Sequence, residues 1–242
     1  GPCGVSLKNK FLELWRRELI RRDGMMEIDG SQIMSKSVFE ASGHLGNFAD
    51  PIIKCKKCKS TFRADRTISE ISKIDIPESA DLEEFDSAIL QNNIKCPKCK
   101  GDFENTRKFN MMFKVGIGPE EEAAYLRPET CQSIFVDFPR LFKTMRGKLP
   151  LGIAQVGKSF RNEISPRQSL LRLREFYQAE IEVFCNPTKL DEVEKFSEIA
   201  DTIIRIQVDS KLEVITCKKA VELKLIPNKF VAYYLAILVE FY

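Results

Sequence analysis

Four cysteines in this sequence are spaced for metal chemistry. Cys55-Lys-Lys-Cys58 and Cys96-Pro-Lys-Cys99 are C-x-x-C turns with 37 residues between them. One such turn presents two thiolates to an ion, and a second completes a tetrahedron, which is the pattern of a structural zinc site. A redox pair is the rival reading, but two paired turns, with lysines beside each and Gly101 after the second, favour zinc. Cys3, Cys131, Cys185 and Cys217 are then expected to be free thiols. A second constellation joins Phe160, Arg161 and Glu163 to Arg172, Arg174 and Phe176 across a turn-rich centre. Residues 172–184 alternate in period two, as a half-buried antiparallel strand does. Arg172, Arg174, Phe176, Gln178, Glu180 and Glu182 share one face, which carries both signs of charge. A solvated strand face is the bland account of it.

The elements that position these groups follow from periodicity. Residues 1–22 form an amphipathic helix with Leu7, Phe11, Leu14, Trp15 and Leu19 on one stripe. Residues 153–161 are β-compatible, and residues 109–118 read as one apolar strand ending in a glycine turn. Pro128 and Glu129 suit the first turn of a helix. Residues 188–207 read as a helix capped by Thr188, with Val193, Phe196, Ile199, Ile203 and Ile206 buried. Residues 211–226 give a strand and a helix, and Asn228 caps the last helix. Residues 69–91, acidic except for Lys73, form an excursion between the cysteine turns.

The wording of several segments is similar to one family. Phe160-Arg161-Asn162-Glu163 followed by Arg172-Leu173-Arg174-Glu175-Phe176 resembles motif 2 of the class II aminoacyl-tRNA synthetases. FRNEISPRQ, LRLREF and AEIEVF resemble the α2-type glycyl-tRNA synthetases in particular. Tyr125-Leu126-Arg127-Pro128-Glu129-Thr130 resembles the family's YLRPET. There Cys131 and Ser133 replace the usual alanine and glycine, and Ser169 also stands where glycine is usual. Phe62-Arg63-Ala64-Asp65 resembles FRADH, with Arg66 in place of histidine. Residues 1–22 resemble the motif 1 helix, which contributes to a dimer interface. Residues 35–44, SKSVFEASGH, resemble its continuation into a strand, with Lys36 near a usual proline. No motif 3 or anticodon-binding domain is found in the chain.

The resemblance implies ATP-dependent ligation of glycine to tRNA(Gly) through glycyl-adenylate, in a cytoplasmic homodimer without a membrane segment, with this chain expected to be part of the catalytic domain and incomplete by itself. Arg161 would hold the α-phosphate and Arg172 the γ-phosphate as the catalytic pair, because a planar guanidinium grips two oxygens at once. Glu163 would accept from the adenine amino group, and Phe176 would stack on the ring. Asn162 and Leu171 complete the ATP-binding set. Glu129 and Glu180 would hold the glycine ammonium, with Gln178 and Arg63 nearby. Zinc would be structural, on Cys55, Cys58, Cys96 and Cys99, and magnesium would accompany ATP. The alternative is a non-catalytic tRNA- or nucleic-acid-binding relative, or one piece of a split synthetase.

The implied fold class is α+β: an antiparallel sheet with flanking helices over residues 1–52 and 104–242, interrupted by a zinc ribbon over 53–103. Composition allows this reading, since the 242 residues are 43% hydrophobic and 30% charged, as in an ordinary globular chain. The net charge of +3 is too small to argue for nucleic acid by itself. Eight cysteines used in this way fit a reducing compartment. Lys54, Lys56, Lys57, Lys59, Lys95, Lys98 and Lys100 make the knuckles basic, which fits a solvated face and a phosphate-contacting face equally. His44, the single histidine, is given no chemistry.

Overall fold

The computed structural model describes residues 1–164, 166 and 171–242. In chain order it contains α1 (Pro2–Trp15), a π turn and a 3-10 turn, β1 (Met26–Ile28), β2 (Ile33–Ser35), α2 (Lys36–Ala41), α3 (His44–Asn47), β3 (Ala49–Lys54) and β4 (Thr61–Arg63). There follow α4 (Ala64–Ser72), α5 (Leu82–Gln91), β5 (Arg107–Asn110), β6 (Phe113–Ile117), β7 (Glu122–Leu126) and α6 (Cys131–Thr144). The chain continues with β8 (Leu151–Phe160), β9 (Glu175–Phe184), α7 (Phe196–Ile199), β10 (Ile203–Val208), β11 (Lys211–Thr216), α8 (Cys217–Glu222) and α9 (Lys229–Phe241). The class is α+β. The described strands form several short sheets: β1 runs parallel to β8, and the pairs β2–β7, β6–β7, β3–β4, β3–β5 and β10–β11 are antiparallel. No described helix is long and apolar enough to cross a membrane.

The chain forms two compact units: Gly1–Asp29, Asp137–Gln155 and Glu180–Tyr242 in the first, and Gly30–Val136 and Val156–Ala179 in the second. In the first unit, Trp15, Leu19 and Ile20 are buried while Val5, Leu7 and Phe11 stay exposed, so only the C-terminal half of the expected stripe is covered. Arg22 pairs with Glu240 at 2.7 Å, and Asp23 accepts from Tyr233 at 2.8 Å and from Lys195 at 2.9 Å. Asn228 caps α9 as expected, its side chain accepting from the Val231 N–H.

The expected helix over residues 188–207 does not form. Thr188 sits in a turn on Asn186, only Phe196–Ile199 is helical, and Ile203–Val208 is strand. The run Ile-Ile-Arg-Ile-Gln-Val explains the outcome, because β-branched residues favour a pleated surface. Period two prevails there: Ile204, Ile206 and Val208 alternate with the exposed Ile203, Arg205 and Gln207.

The second unit holds β2-β7-β6 and β4-β3-β5. The strand expected over 109–118 is two strands in different sheets. Asn110 separates them, since its Oδ1 accepts from the Met112 N–H at 2.8 Å and turns the backbone. Residues 36–41, expected to continue a strand, are instead helix α2, with the fully buried Phe39 on its inner side. Ser35 is the N-cap and Lys36 the first helical residue, a position that also suits proline. Pro128 and Glu129 lie in the bend before α6 rather than in its first turn. Ser133 is helical and 3% exposed, so no positive φ is asked of it. Ser169 lies outside the described residues.

Candidate active site and metal centre

The cysteine centre is built by two matching turns. The residue after each knuckle, Lys59 and Lys100, has a left-handed backbone with φ of 58° and 59°. In each turn that residue's N–H returns to the carbonyl of the first cysteine, Cys55 or Cys96. Cys55 Sγ lies 3.4 Å from Cys99 Sγ, Cys58 Sγ lies 3.7 Å from Cys96 Sγ, and all four sulfurs fall within 4.8 Å of one another. A tetrahedral zinc with bonds of about 2.3 Å spaces its sulfurs by about 3.8 Å, so the four residues fit that ion. Hydrogen bonding divides the thiols: the Cys58 N–H holds Cys55 below its usual range and Ser60 brings Cys58 down to about 6, while Cys99, against the pull of the Gly101 N–H, is pushed up to about 11 by burial and its sulfur neighbours. A Cβ on Gly101 would meet Lys57 Cβ at 2.9 Å and Cys55 Sγ at 3.2 Å, so glycine lets the second knuckle close. Beneath the centre, Phe85 and Ile89 of α5 pack with Ile53, Ile68, Ile94 and Phe103. The acidic excursion is therefore partly core.

The second constellation has a buried anchor. Arg127 is fully buried; its Nε donates to Lys158 O at 2.8 Å and its Nη1 to Gly30 O at 2.9 Å. The Phe160 N–H returns to Arg127 O at 2.9 Å. A Cβ on Gly157 would come within 2.1 Å of Arg127 Nη2, so β8 is open at that point for the guanidinium. This anchor fixes the bend that carries Glu129 against the end of β8 that carries Arg161.

Arg161 donates from Nε to Pro128 O at 3.2 Å, and its Nη2 lies 4.0 Å from Glu129 Oε2. Its guanidinium carbon is 5.4 Å from the Phe176 ring and 5.5 Å from the Phe48 ring. Glu163 Oε2 accepts from Arg172 at 2.8 Å (Nε) and 2.7 Å (Nη2), with the two side chains 11% and 17% exposed. Asn162 donates its backbone N–H to Met111 O at 2.7 Å, and Leu171 is 88% exposed. At the start of β9, Phe176 and Gln178 are half-buried while Glu175 and Tyr177 are exposed; from Ala179 to Phe184 both faces are half-buried, and Arg174, just before the strand, is exposed.

Glu129 brings in residues that the sequence reading left unassigned. Its Oε1 lies 3.0 Å from His44 Nε2 and accepts from Gln132 Nε2 at 2.7 Å and Cys131 Sγ at 3.5 Å. The segment ASGH and the glutamine three residues after Glu129 were the available signals, but single residues have no periodicity to reveal them. A cavity of 620 Å³ lies against His44, Glu129, Cys131 and Gln132, with Val38 and Phe135 among its other walls. Arg63 is 9% exposed and engages Asp50 at 2.8 Å, Asp65 at 2.8 Å and Glu78. Burial pushes the Asp50 carboxyl up, against the pull of Arg63. Glu180 is half-buried on β9, in the part of the strand that belongs to the first unit.

Residues 89–231 match the tRNA synthetase class II core domain (G, H, P, S and T), and the chain belongs to that family. A Glycine--tRNA ligase from Methanocaldococcus jannaschii is 42% identical across all of this chain and 44% of its own length. One from Pyrococcus furiosus is 43% identical over 98% of this chain and 43% of its own. The chain thus spans less than half the length of these relatives. Among solved structures, the RNA binding domain of a threonyl-tRNA synthetase from Cryptosporidium parvum Iowa II covers 82% of this chain and 34% of that one. Its 22% identity and TM-score of 0.48 are too loose to fix strand correspondences.

Proposed function

We propose that this chain carries the amino-acid-activating part of a glycine–tRNA ligase. A glycine carboxylate oxygen attacks the α-phosphorus of ATP, and the bond to the bridging oxygen breaks to release pyrophosphate and leave glycyl-adenylate. A terminal ribose hydroxyl of tRNA(Gly) then attacks the carbonyl carbon, and AMP departs. Such chemistry asks for positioning and charge stabilisation more than for a dedicated base. The observation that carries the reading is Arg161, held between Phe48 and Phe176 with Glu129 Oε2 at 4.0 Å. A phosphate-gripping fork and an ammonium-gripping carboxylate stand side by side, the two groups that a glycine poised on ATP requires.

In this reading Arg161 and Arg172 take the α- and γ-phosphates, with Asn162, Glu163, Leu171 and Phe176 around the nucleotide. Before ATP enters, Arg172 and Glu163 neutralise each other, so binding exchanges their pairing for contacts to phosphate and adenine. Glu129 and Glu180 take the ammonium, and Gln178 is a further residue of the glycine-binding set. Arg63 supports the site through the acids that surround it. The zinc ribbon over 53–103 is an insertion in a core formed by 1–52 and 104–242. Magnesium enters with ATP, and no ligand in this chain is assigned to it. The exposed Val5, Leu7 and Phe11 of α1 support a homodimer, and the protein is placed in the cytoplasm. Glycine-dependent exchange of labelled pyrophosphate into ATP tests the reading. ATP binding without exchange for any amino acid would favour the non-catalytic or split-enzyme alternative.

A further inference from the structure

We propose that His44 and Gln132 are positioning residues that clamp the Glu129 carboxylate in the orientation that receives the amino acid's ammonium group. The proposal rests on the glycine reading above and deepens it. The two oxygens of Glu129 are treated differently. Oε1 lies 3.0 Å from His44 Nε2 and accepts from Gln132 at 2.7 Å and Cys131 at 3.5 Å. Oε2 accepts no hydrogen bond among the described residues and faces Arg161 Nη2 at 4.0 Å. A glutamate's terminal torsion is broad when free, and three polar neighbours on one oxygen restrict that freedom.

The clamp's own geometry is determined. A carboxylate only accepts, so Gln132 must present its amide nitrogen to Glu129. Ser42 Oγ lies 2.8 Å from His44 Nδ1. With the Ser42 hydroxyl donating there, the imidazole keeps its proton on Nε2, toward Glu129. Packing fixes the ring as well, with the Phe48 ring 5.5 Å away and the Phe39 ring 6.1 Å away. Asn110 Nδ2 donates to His44 O at 3.2 Å, and Gly43 supplies the left-handed turn into α3 with φ of 78°. Gln132 is 5% exposed.

The consequence is a directed acceptor. An ammonium seated on Oε2 lies beside Arg161, and glycine has a single carbon between its nitrogen and its carboxylate carbon. No side chain or flexible arm can correct a misplaced ammonium, so the angle of Glu129 sets where the attacking oxygen arrives.

The test is pyrophosphate exchange with His44→Leu, Gln132→Leu and His44→Gln, the last of which keeps an N–H near the Nε2 position. The leucine variants are expected to raise the glycine KM about ten- to a hundred-fold, with the ATP KM moved less than about two-fold. His44→Gln should recover most of the loss. Because His44 is the only histidine, its ring nitrogens are also readable by NMR in the unmodified protein. Saturating glycine should shift them, and ATP alone should shift them less. An unchanged glycine KM in folded leucine variants overturns the clamp, as does equal loss toward both substrates or an imidazole signal indifferent to glycine. Wild-type protein that activates no amino acid, or a different one, removes the glycine reading instead. The imidazole response to that amino acid, or to glycine binding alone, then scores the clamp separately.

Discussion

The cysteine ribbon gathers four groups of one kind, and it does so with local backbone: two turns of matching shape, each closed by its own hydrogen bond. The site around Glu129 and Arg161 gathers unlike groups from α3, the bend before α6, the end of β8 and the start of β9. Its charges are already engaged with one another, Arg172 with Glu163 and Arg161 with Glu129. The first centre gathers thiols that a cation would neutralise, while the second is largely neutralised by its own side chains. Removing one member should therefore have different consequences. The ribbon should lose structure, and the site should lose function while keeping structure.

The ribbon offers the largest effect. Elemental analysis should find about one zinc per chain, and Cys96→Ser or strong chelation should forfeit binding energy on the order of ten kcal/mol. Protease cutting confined to residues 53–103 would be its signature. Zinc-free protein with an unchanged cutting pattern would break the contrast from the ribbon's side.

Arg161→Ala comes next, expected to slow adenylate formation by roughly two to four powers of ten while the melting temperature holds. Arg161→Lys should also fail substantially, since an ammonium is a point charge without the fork. Near-normal exchange in the lysine variant would contradict the two-pronged grip.

Glu129→Gln and Glu180→Gln should each weaken glycine use about ten- to a hundred-fold and leave ATP affinity nearly intact. Neither change should admit alanine, because rejection of a larger substrate is a matter of space rather than charge. Parallel loss of both substrates would take these residues out of the amino-acid site. Gly101→Ala gives the smallest change, about 1–3 kcal/mol, because the added methyl presses on Lys57 and Cys55. A drop in zinc affinity without any drop in exchange rate would sharpen the separation between the two centres.

What the sequence disclosed follows the same divide. The knuckles, the cap at Asn228 and the alternation along β9 are written in neighbouring residues, so spacing alone reveals them. Residues 188–207 deceived because Ile199, Ile203 and Ile206 satisfy a helical stripe, while Ile204, Ile206 and Val208 satisfy a pleat equally well. Pairing with β11 decides between them. The break at Asn110 depends on its amide, which also reaches His44 O and Leu45 O, residues about sixty-five positions earlier. His44, Gln132 and the anchoring role of Arg127 depend on such distant partners, and no local period announces them. The family resemblance named Glu129 and Arg161, and the structure adds what holds them.

Gly157 gives the site a vulnerability of an unusual sort. Its missing side chain is the berth of Arg127, whose guanidinium ties β8 to the bend that carries Glu129. A single methyl there would evict a permanent charge from the interior, and the two arms of the site would lose their common hinge pin. Screening for loss of aminoacylation should thus return lesions at a residue that touches no substrate and offers no functional group. That silent position would behave like an active-site residue.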